Sequence, residues 1–420
     1  MKSATANEPT HFLLPVMNAP RNARTLRIGF VTPRISSVGG AEIWIRALSR
    51  SFRSCQTIGV YSQEPIGPQE NFNDAENRNY GVGSTRLRFD DVAEVGSGDE
   101  YFEELYYESD ILVAWGVKSL PDVVRERSTP IVNVMHGTAE LKYSTDIAKE
   151  SVLWSNFNVG VAAECIDALP PACQANAVVI PNGSEIERIE PRFGREEFRS
   201  NWSANGIFEL NPSDKVLLFM GRLSDEKNPM KAIYSLQYLP PNYKLIMAGS
   251  SQNSTSISKE MAKLYPGRVG FAEYIPDVGD LLAMADCLVA PSDTEAHPLS
   301  INEAWLAGLP VVTHAYPTAI SMQKRHGPMS LLSPIDSSPE SFAKQITRAV
   351  ADGREGKIPT HAKEIAWMYY TGKAMARRWE SFLHLAHYSF HVSQETPELT
   401  HIIPMIPKHK PQAFRQTGQA

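Results

Sequence analysis

Pro291-Ser292-Asp293-Thr294-Glu295-Ala296-His297-Pro298-Leu299-Ser300-Ile301-Asn302-Glu303-Ala304-Trp305-Leu306-Ala307-Gly308-Leu309-Pro310-Val311-Val312-Thr313-His314 decides how the rest of the chain is read. Asp286 to Ala290, just before it, is an apolar run of strand length, and Pro310 to Thr313 at its end is another. Between them Pro298 suits a first helical position, Leu299, Ile301, Ala304 and Trp305 supply apolar contacts, and Gly308 is a stop signal. The stretch therefore predicts a β-α-β unit in which a strand, a loop and a helix N-terminus follow one another.

Parallel α/β sheets take ligands beyond the carboxyl ends of their strands. A helix N-terminus there offers N–H groups and partial positive charge to an anion, so the segment predicts a phosphate seat. Glu295 falls in the loop and Glu303 in the helix. Two carboxylates would repel phosphate but accept hydrogen bonds from sugar hydroxyls; read alone, they are more simply one capping acid and one solvated acid.

Upstream, the chain repeats the pattern. Lys215 to Met220 reads as a strand, Gly221-Arg222-Leu223-Ser224-Asp225-Glu226-Lys227-Asn228-Pro229 as a loop, and Met230 to Leu239 as a helix. Arg222 and Lys227 can bring a guanidinium and an ammonium together at one strand end, which suits a diphosphate. Tyr243 to Ala248 and Arg268 to Ala272 are further strands, the second followed by the loop Glu273-Tyr274-Ile275-Pro276.

This arrangement resembles retaining glycosyltransferase family 4. Glu295 and Glu303 fall in the two places of its E-x7-E signature, and Gly221-Arg222-Leu223 with Lys227-Asn228 is similar to its Gly-Arg-Leu and Lys-Asn element. The resemblance implies the GT-B architecture, two Rossmann-like α/β domains facing a cleft. It implies that Arg222 and Lys227 bind the donor diphosphate, that Glu295 approaches the donor sugar and that Glu303 holds the ribose. It further puts His297, Pro298, Leu299 and Ser300 at the donor phosphates and Tyr274 near the base. After His314 the family often has a Gly-Gly loop and another Glu; Ala315-Tyr316-Pro317-Thr318-Ala319-Ile320 stands there instead.

Further out, Thr25 to Thr32 reads as the first strand and Ala41 to Ser51 as the first helix, joined by Ser36-Ser37-Val38-Gly39-Gly40. The spacing is not G-x-G-x-x-G, which argues against a nicotinamide or flavin site. Gly39-Gly40-Ala41-Glu42 is similar to the family's cleft-facing opening, which makes Gly39 and Gly40 donor-side residues. Arg46, Arg50 and Arg53 recur at helical spacing, either as a solvated face or as an attraction for anionic lipid. Glu64 to Asp99 reads as loops with one or two edge strands. Asp110 to Trp115 and Pro130 to Met135 continue a parallel sheet, with a helical turn over Pro121 to Arg127 between them. His136 follows at a strand end, where it resembles the family's His-Gly beside the donor sugar. Pro181-Asn182-Gly183 carries Ser184-Glu185 where members usually have a small residue and Asp. Ser341 to Asp352 and Ala362 to Phe390 are helical patterns.

The 420 residues, with 42% apolar and 21% charged, suit a two-domain globular chain, and a net charge of −6 argues against a nucleic-acid partner. Four cysteines without C-x-x-C spacing predict neither a metal site nor disulfides, and with no secretion signal a cytoplasmic setting is expected, peripheral at the inner membrane face at most. No D-x-D occurs, in keeping with a metal-independent reaction without a cofactor.

Together these readings predict an N-terminal extension over 1–24, an acceptor-side domain over 25–184 joined by a helix near 373–390, a nucleotide-sugar domain over 185–372 and a loose tail over 391–420. They predict transfer from a UDP- or GDP-sugar to a glycan or lipid-linked acceptor, with Arg222, Lys227, Glu295 and His136 as the catalytic set. A nucleotide-sugar epimerase of the same architecture and a non-catalytic sugar-nucleotide binder are the alternatives.

Overall fold

The computed structural model describes residues 24–33, 40–64, 93–126, 128–138, 142–151, 154–174, 177–204, 209–249, 263–272 and 277–395. Among them, two sheets carry the fold. The first comprises β1 (Leu26–Thr32), β2 (Cys55–Ser62), β3 (Glu94–Gly96), β4 (Ile111–Trp115), β5 (Ile131–Met135), β6 (Phe157–Gly160) and β7 (Ala177–Val179), in the order β3-β2-β1-β4-β5-β6-β7. The second comprises β8 (Lys215–Met220), β9 (Tyr243–Ala248), β10 (Val269–Ala272), β11 (Cys287–Ala290), β12 (Val311–His314) and β13 (Leu331–Ser333), ordered β10-β9-β8-β11-β12-β13. Every pairing is parallel. Strands buried on both faces explain the near-continuous apolar runs; β5, for example, has all of its residues buried.

Both orders run outward from a pair of neighbouring strands, β1 with β4 and β8 with β11. Connections leave these pairs in opposite directions, opening a crevice at the carboxyl ends. This is the two-Rossmann-domain arrangement expected from the sequence.

Helices cover both faces. In chain order they include α1 (Gly40–Ser51), α2 (Asp99–Glu108), α3 (Lys142–Ser151), α4 (Ile186–Ile189), α5 (Arg195–Ala204), α6 (Pro229–Ser235), α7 (Gly279–Met284), α8 (Leu299–Leu306), α9 (Pro317–His326), α10 (Pro339–Asp352), α11 (Lys357–Tyr369) and α12 (Gly372–Glu395). In the first domain Trp379, Phe382 and Leu383 of α12 complete the core formed by Phe30, Trp44 and Phe157, although α12 follows the whole second domain in sequence. Phe102, Leu105 and Tyr106 of α2 fill the opposite face.

The chain passes between domains near Ser184 and again near Thr371, and the two passages pair with each other. Ser184 N–H donates to the Tyr370 carbonyl at 3.0 Å and Gly372 N–H to the Ser184 carbonyl at 2.7 Å. A Cβ on Gly183 would stand 2.3 Å from the Thr371 carbonyl oxygen, so this close approach requires glycine.

Several elements depart from expectation. The helical pattern over Ala362 to Phe390 is two helices, broken at Tyr370 and Thr371 because those residues pair with the first passage. Helix α12 runs on to Glu395, so the start of the segment expected as a loose tail is helical; 396–420 lies outside the described residues. Pro317 opens α9 in the segment that stands where the family often has a Gly-Gly loop. The predicted helix Met230 to Leu239 is α6 followed by a 3-10 turn over Leu236–Tyr238.

Candidate active site

The carboxyl ends of β8 and β11 open into a cleft of about 270 Å3 that reaches the first domain at Gly40, Ile43 and His136. Its second-domain wall is built from two loops stitched together. After β8 the chain turns at Gly221 and passes a single 3-10 turn over Asp225–Lys227. Asn228 then takes the left-handed conformation at φ 49°, which asparagine tolerates better than most residues, and Pro229 starts α6. The reversal sends Lys227 toward the cleft. Asp293 N–H donates to the Glu226 carbonyl at 2.9 Å and Asn228 Nδ2 to Asp293 Oδ1 at 3.2 Å, tying this loop to the one after β11.

Lys227 Nζ donates to Glu295 Oε1, and the Ser292 hydroxyl donates to the same oxygen at 2.8 Å. Arg222 is two-thirds exposed and bridges Glu226 at 3.2 Å, a surface pairing weak enough for an anion to displace. Helix α8 begins after Pro298 with no side chain capping it. Its leading N–H groups therefore line the cleft with Leu299 and Ser300, one residue later than the sequence suggested for Pro298. At Gly249 a Cβ would stand 2.0 Å from the Gly221 carbonyl oxygen, so the backbone of both strand ends approaches as only glycine allows.

Glu303 is buried and accepts from Arg188 Nε at 2.7 Å. Arg188 follows the first interdomain passage, and α4 delivers it to the cleft wall. One carboxylate oxygen of Glu303 is thus committed to the guanidinium. Asn182 also joins the site, donating through Nδ2 to the His297 carbonyl at 2.9 Å. Neither contact has a local signal, since both residues arrive with the first interdomain passage.

His136 stands at the end of β5 with its ring against Trp44 at 4.8 Å and Trp115 at 5.6 Å. Burial pushes it down to about 4, so the ring is neutral near pH 7. His297 packs on Tyr370 with ring centroids 4.8 Å apart, and burial first of all takes it down to about 3. Across the cleft, Thr138 and Thr294 share a hydroxyl hydrogen bond of 3.0 Å, joining the first domain to the loop that carries Glu295.

The structure thus brings Gly40, His136, Arg222, Lys227, Glu295, His297, Pro298, Leu299, Ser300 and Glu303 to one cleft. Gly39 and Tyr274 lie outside the described residues. The arginine row of α1 is not a free basic face: Arg46 and Arg50 both turn to the buried carboxylate of Glu185, each at 3.7 Å. Among the described residues, no helix is long and apolar enough to cross a membrane.

Fold and cleft together define a GT-B type protein, and residues 201–366 match the family model described as Glycosyl transferases group 1. The chain carries that domain. It is 32% identical to the putative glycosyltransferase YtcC of Bacillus subtilis over 39% of this chain and 44% of that protein. It is 26% identical to the UDP-Gal:alpha-D-GlcNAc-diphosphoundecaprenol alpha-1,3-galactosyltransferase of Escherichia coli over 32% of this chain and 35% of that one. The matches therefore span less than half of these relatives. A crystal structure of Anabaena HepE with UDP and glucose superposes with a TM-score of 0.67 at 16% identity, covering 86% of this chain and 99% of that one.

Proposed function

We propose that the chain is a retaining glycosyltransferase that moves a sugar from a UDP- or GDP-sugar to a hydroxyl of a glycan or lipid-linked acceptor. The observation that carries this reading is the single cleft in which Arg222, Lys227 and the N-terminus of α8 meet the carboxylates Glu295 and Glu303. Cations and N–H groups suit a diphosphate, and carboxylates suit the hydroxyls of the sugar and ribose at its two ends.

As the bond between the anomeric carbon and the diphosphate oxygen breaks, negative charge grows on the leaving group. Donors already aimed at that oxygen stabilise the transition state more than the ground state. Arg222 and Lys227 supply this stabilisation without a divalent ion. His136, neutral and at the first-domain edge, faces the transferred sugar, while Glu303 and its Arg188 partner hold the ribose. The UDP bound by HepE and the lipid-linked acceptor in the name of the galactosyltransferase support the donor and acceptor classes.

A screen of UDP- and GDP-sugars, read by released nucleotide with and without candidate acceptors, tests the assignment. Arg222→Ala and Lys227→Ala should each slow turnover by about 100-fold, the loss of a charge contact of ~3 kcal/mol. Turnover should persist in excess chelator. Normal turnover in either folded variant removes that residue from the site, and loss with EDTA that magnesium restores overturns the metal-independent mechanism.

A further inference from the structure

Behind the cleft lies a polar chain, buried at His314 and Ser292, that reaches the lining through Glu295. His314 ends β12, fully buried, with its ring edge-on to Phe342 at 5.4 Å between centroids. Lys231 of α6 places Nζ 3.0 Å from His314 Nε2 and 2.7 Å from the Ile335 carbonyl oxygen. An ammonium can only donate, so Nε2 is the acceptor and the ring proton sits on Nδ1. That nitrogen is 3.1 Å from the Ser292 carbonyl oxygen, which can only accept. Asp293 Oδ1, at 3.6 Å from Nδ1, lies beyond hydrogen-bonding length.

The tautomer is therefore set from one side by Lys231 and used on the other to hold Ser292. Ser292 in turn aims Glu295, donating its hydroxyl to Oε1 at 2.8 Å. The Thr318 hydroxyl fixes the other end of the same residue, donating to the Glu295 carbonyl at 2.5 Å. We infer that His314, oriented by Lys231, is a positioning residue that sets the carboxylate of Glu295 through Ser292. This rests on the reading of Glu295 as the group nearest the transferred sugar. A shift of about 1 Å in such a group is enough to slow turnover about 100-fold, so a contact outside the cleft can govern rate.

Asparagine and glutamine separate the two halves of the device. In His314→Asn the amide nitrogen takes the place of Nδ1 and can still donate to the Ser292 carbonyl. In His314→Gln the amide reaches the place of Nε2 and keeps Lys231 but loses Ser292; His314→Leu loses both. The measurements are turnover of the nucleotide sugar found in the screen, titration with UDP or GDP to match it, and thermal melting. His314→Asn should keep its kcat within about threefold, while the Gln and Leu variants should fall by about tenfold or more, with the nucleotide Kd unchanged within about twofold. Ser292→Ala should fall to the same level, and adding His314→Gln to it should cost nothing further.

A merely structural role would lower melting temperatures without this split between kcat and Kd. The inference is overturned if folded Gln and Leu variants keep the wild-type kcat, or if Asn falls alongside them. Glu295→Gln is the reference: if it is slow while the His314 variants are normal, only this inference fails. If Glu295→Gln turns over normally, the assignment of Glu295 fails and the inference with it.

Discussion

Lys227 and Glu295 begin as partners, so a diphosphate that recruits the lysine must compete with the carboxylate that holds it. Glu295→Gln removes that competitor and a negative charge beside the anion. It should lower the maximal rate while raising affinity for the free nucleoside diphosphate by a few-fold, about 1 kcal/mol or less. Calorimetric titration beside steady-state kinetics reads both, and a loss of nucleotide affinity would place Glu295 at the ribose instead. Glu303 presents the opposite case. Its buried partner Arg188 occupies one oxygen at 2.7 Å, leaving the other for a hydroxyl. In Arg188→Met the carboxylate is left buried without its counter-charge, so stability should fall by about 3–5 kcal/mol. Arg188→Met with Glu303→Gln should recover most of that stability in denaturant titrations, but not nucleotide binding. Arg222, Lys227, Glu295 and Glu303 were legible in the sequence because each lies in a local loop or helix pattern. Arg188, Asn182 and the Lys231–His314 pair were not, because tertiary contacts alone give them their partners.

Among the secondary elements, the parallel strands were the most legible, since burial on both faces leaves apolar runs that no alternating pattern could mimic. Helix α2 gives a weaker signal because its apolar residues Phe102, Leu105 and Tyr106 are set among glutamates, although their spacing is helical. The break between α11 and α12 has a local signal in Thr371, whose hydroxyl accepts from the Ala374 N–H at 3.1 Å to cap α12, and a partner far upstream, Ser184, that pairs across it. At that junction Gly183→Ala should force the two interdomain passages apart, because its Cβ would meet backbone at 2.3 Å. A cost of about 1–3 kcal/mol is expected, read from the denaturant midpoint. A midpoint equal to wild type would show that the passages can separate freely. Trp379→Ala on α12 should cost more, about 3–5 kcal/mol, since the indole is fully buried between Trp44 and Phe382.

Across the whole molecule, several buried or half-buried imidazoles are held neutral. Burial lowers His136, His314 and His326 from 6.5 to about 4 and His297 to about 3. Unfolding lets each ring bind a proton that the folded state refuses. Their contribution is therefore present above pH 6.5 and is lost as pH falls from 6.5 toward 4. Melting temperature should drop steeply in that window, and His297→Phe, which keeps a ring against Tyr370 but cannot be protonated, should make the drop shallower. An unchanged slope would mean that His297 does not titrate on unfolding. Helix α12 sets a further condition, on synthesis. The second domain is one continuous stretch of chain and can close as soon as it leaves the ribosome. The first must wait, its face around Trp44 and Phe157 bare, until α12 emerges. Chains truncated after Thr371 should accordingly keep a protease-resistant second domain and yield a first domain that is digested. The half of the protein made first is the half finished last.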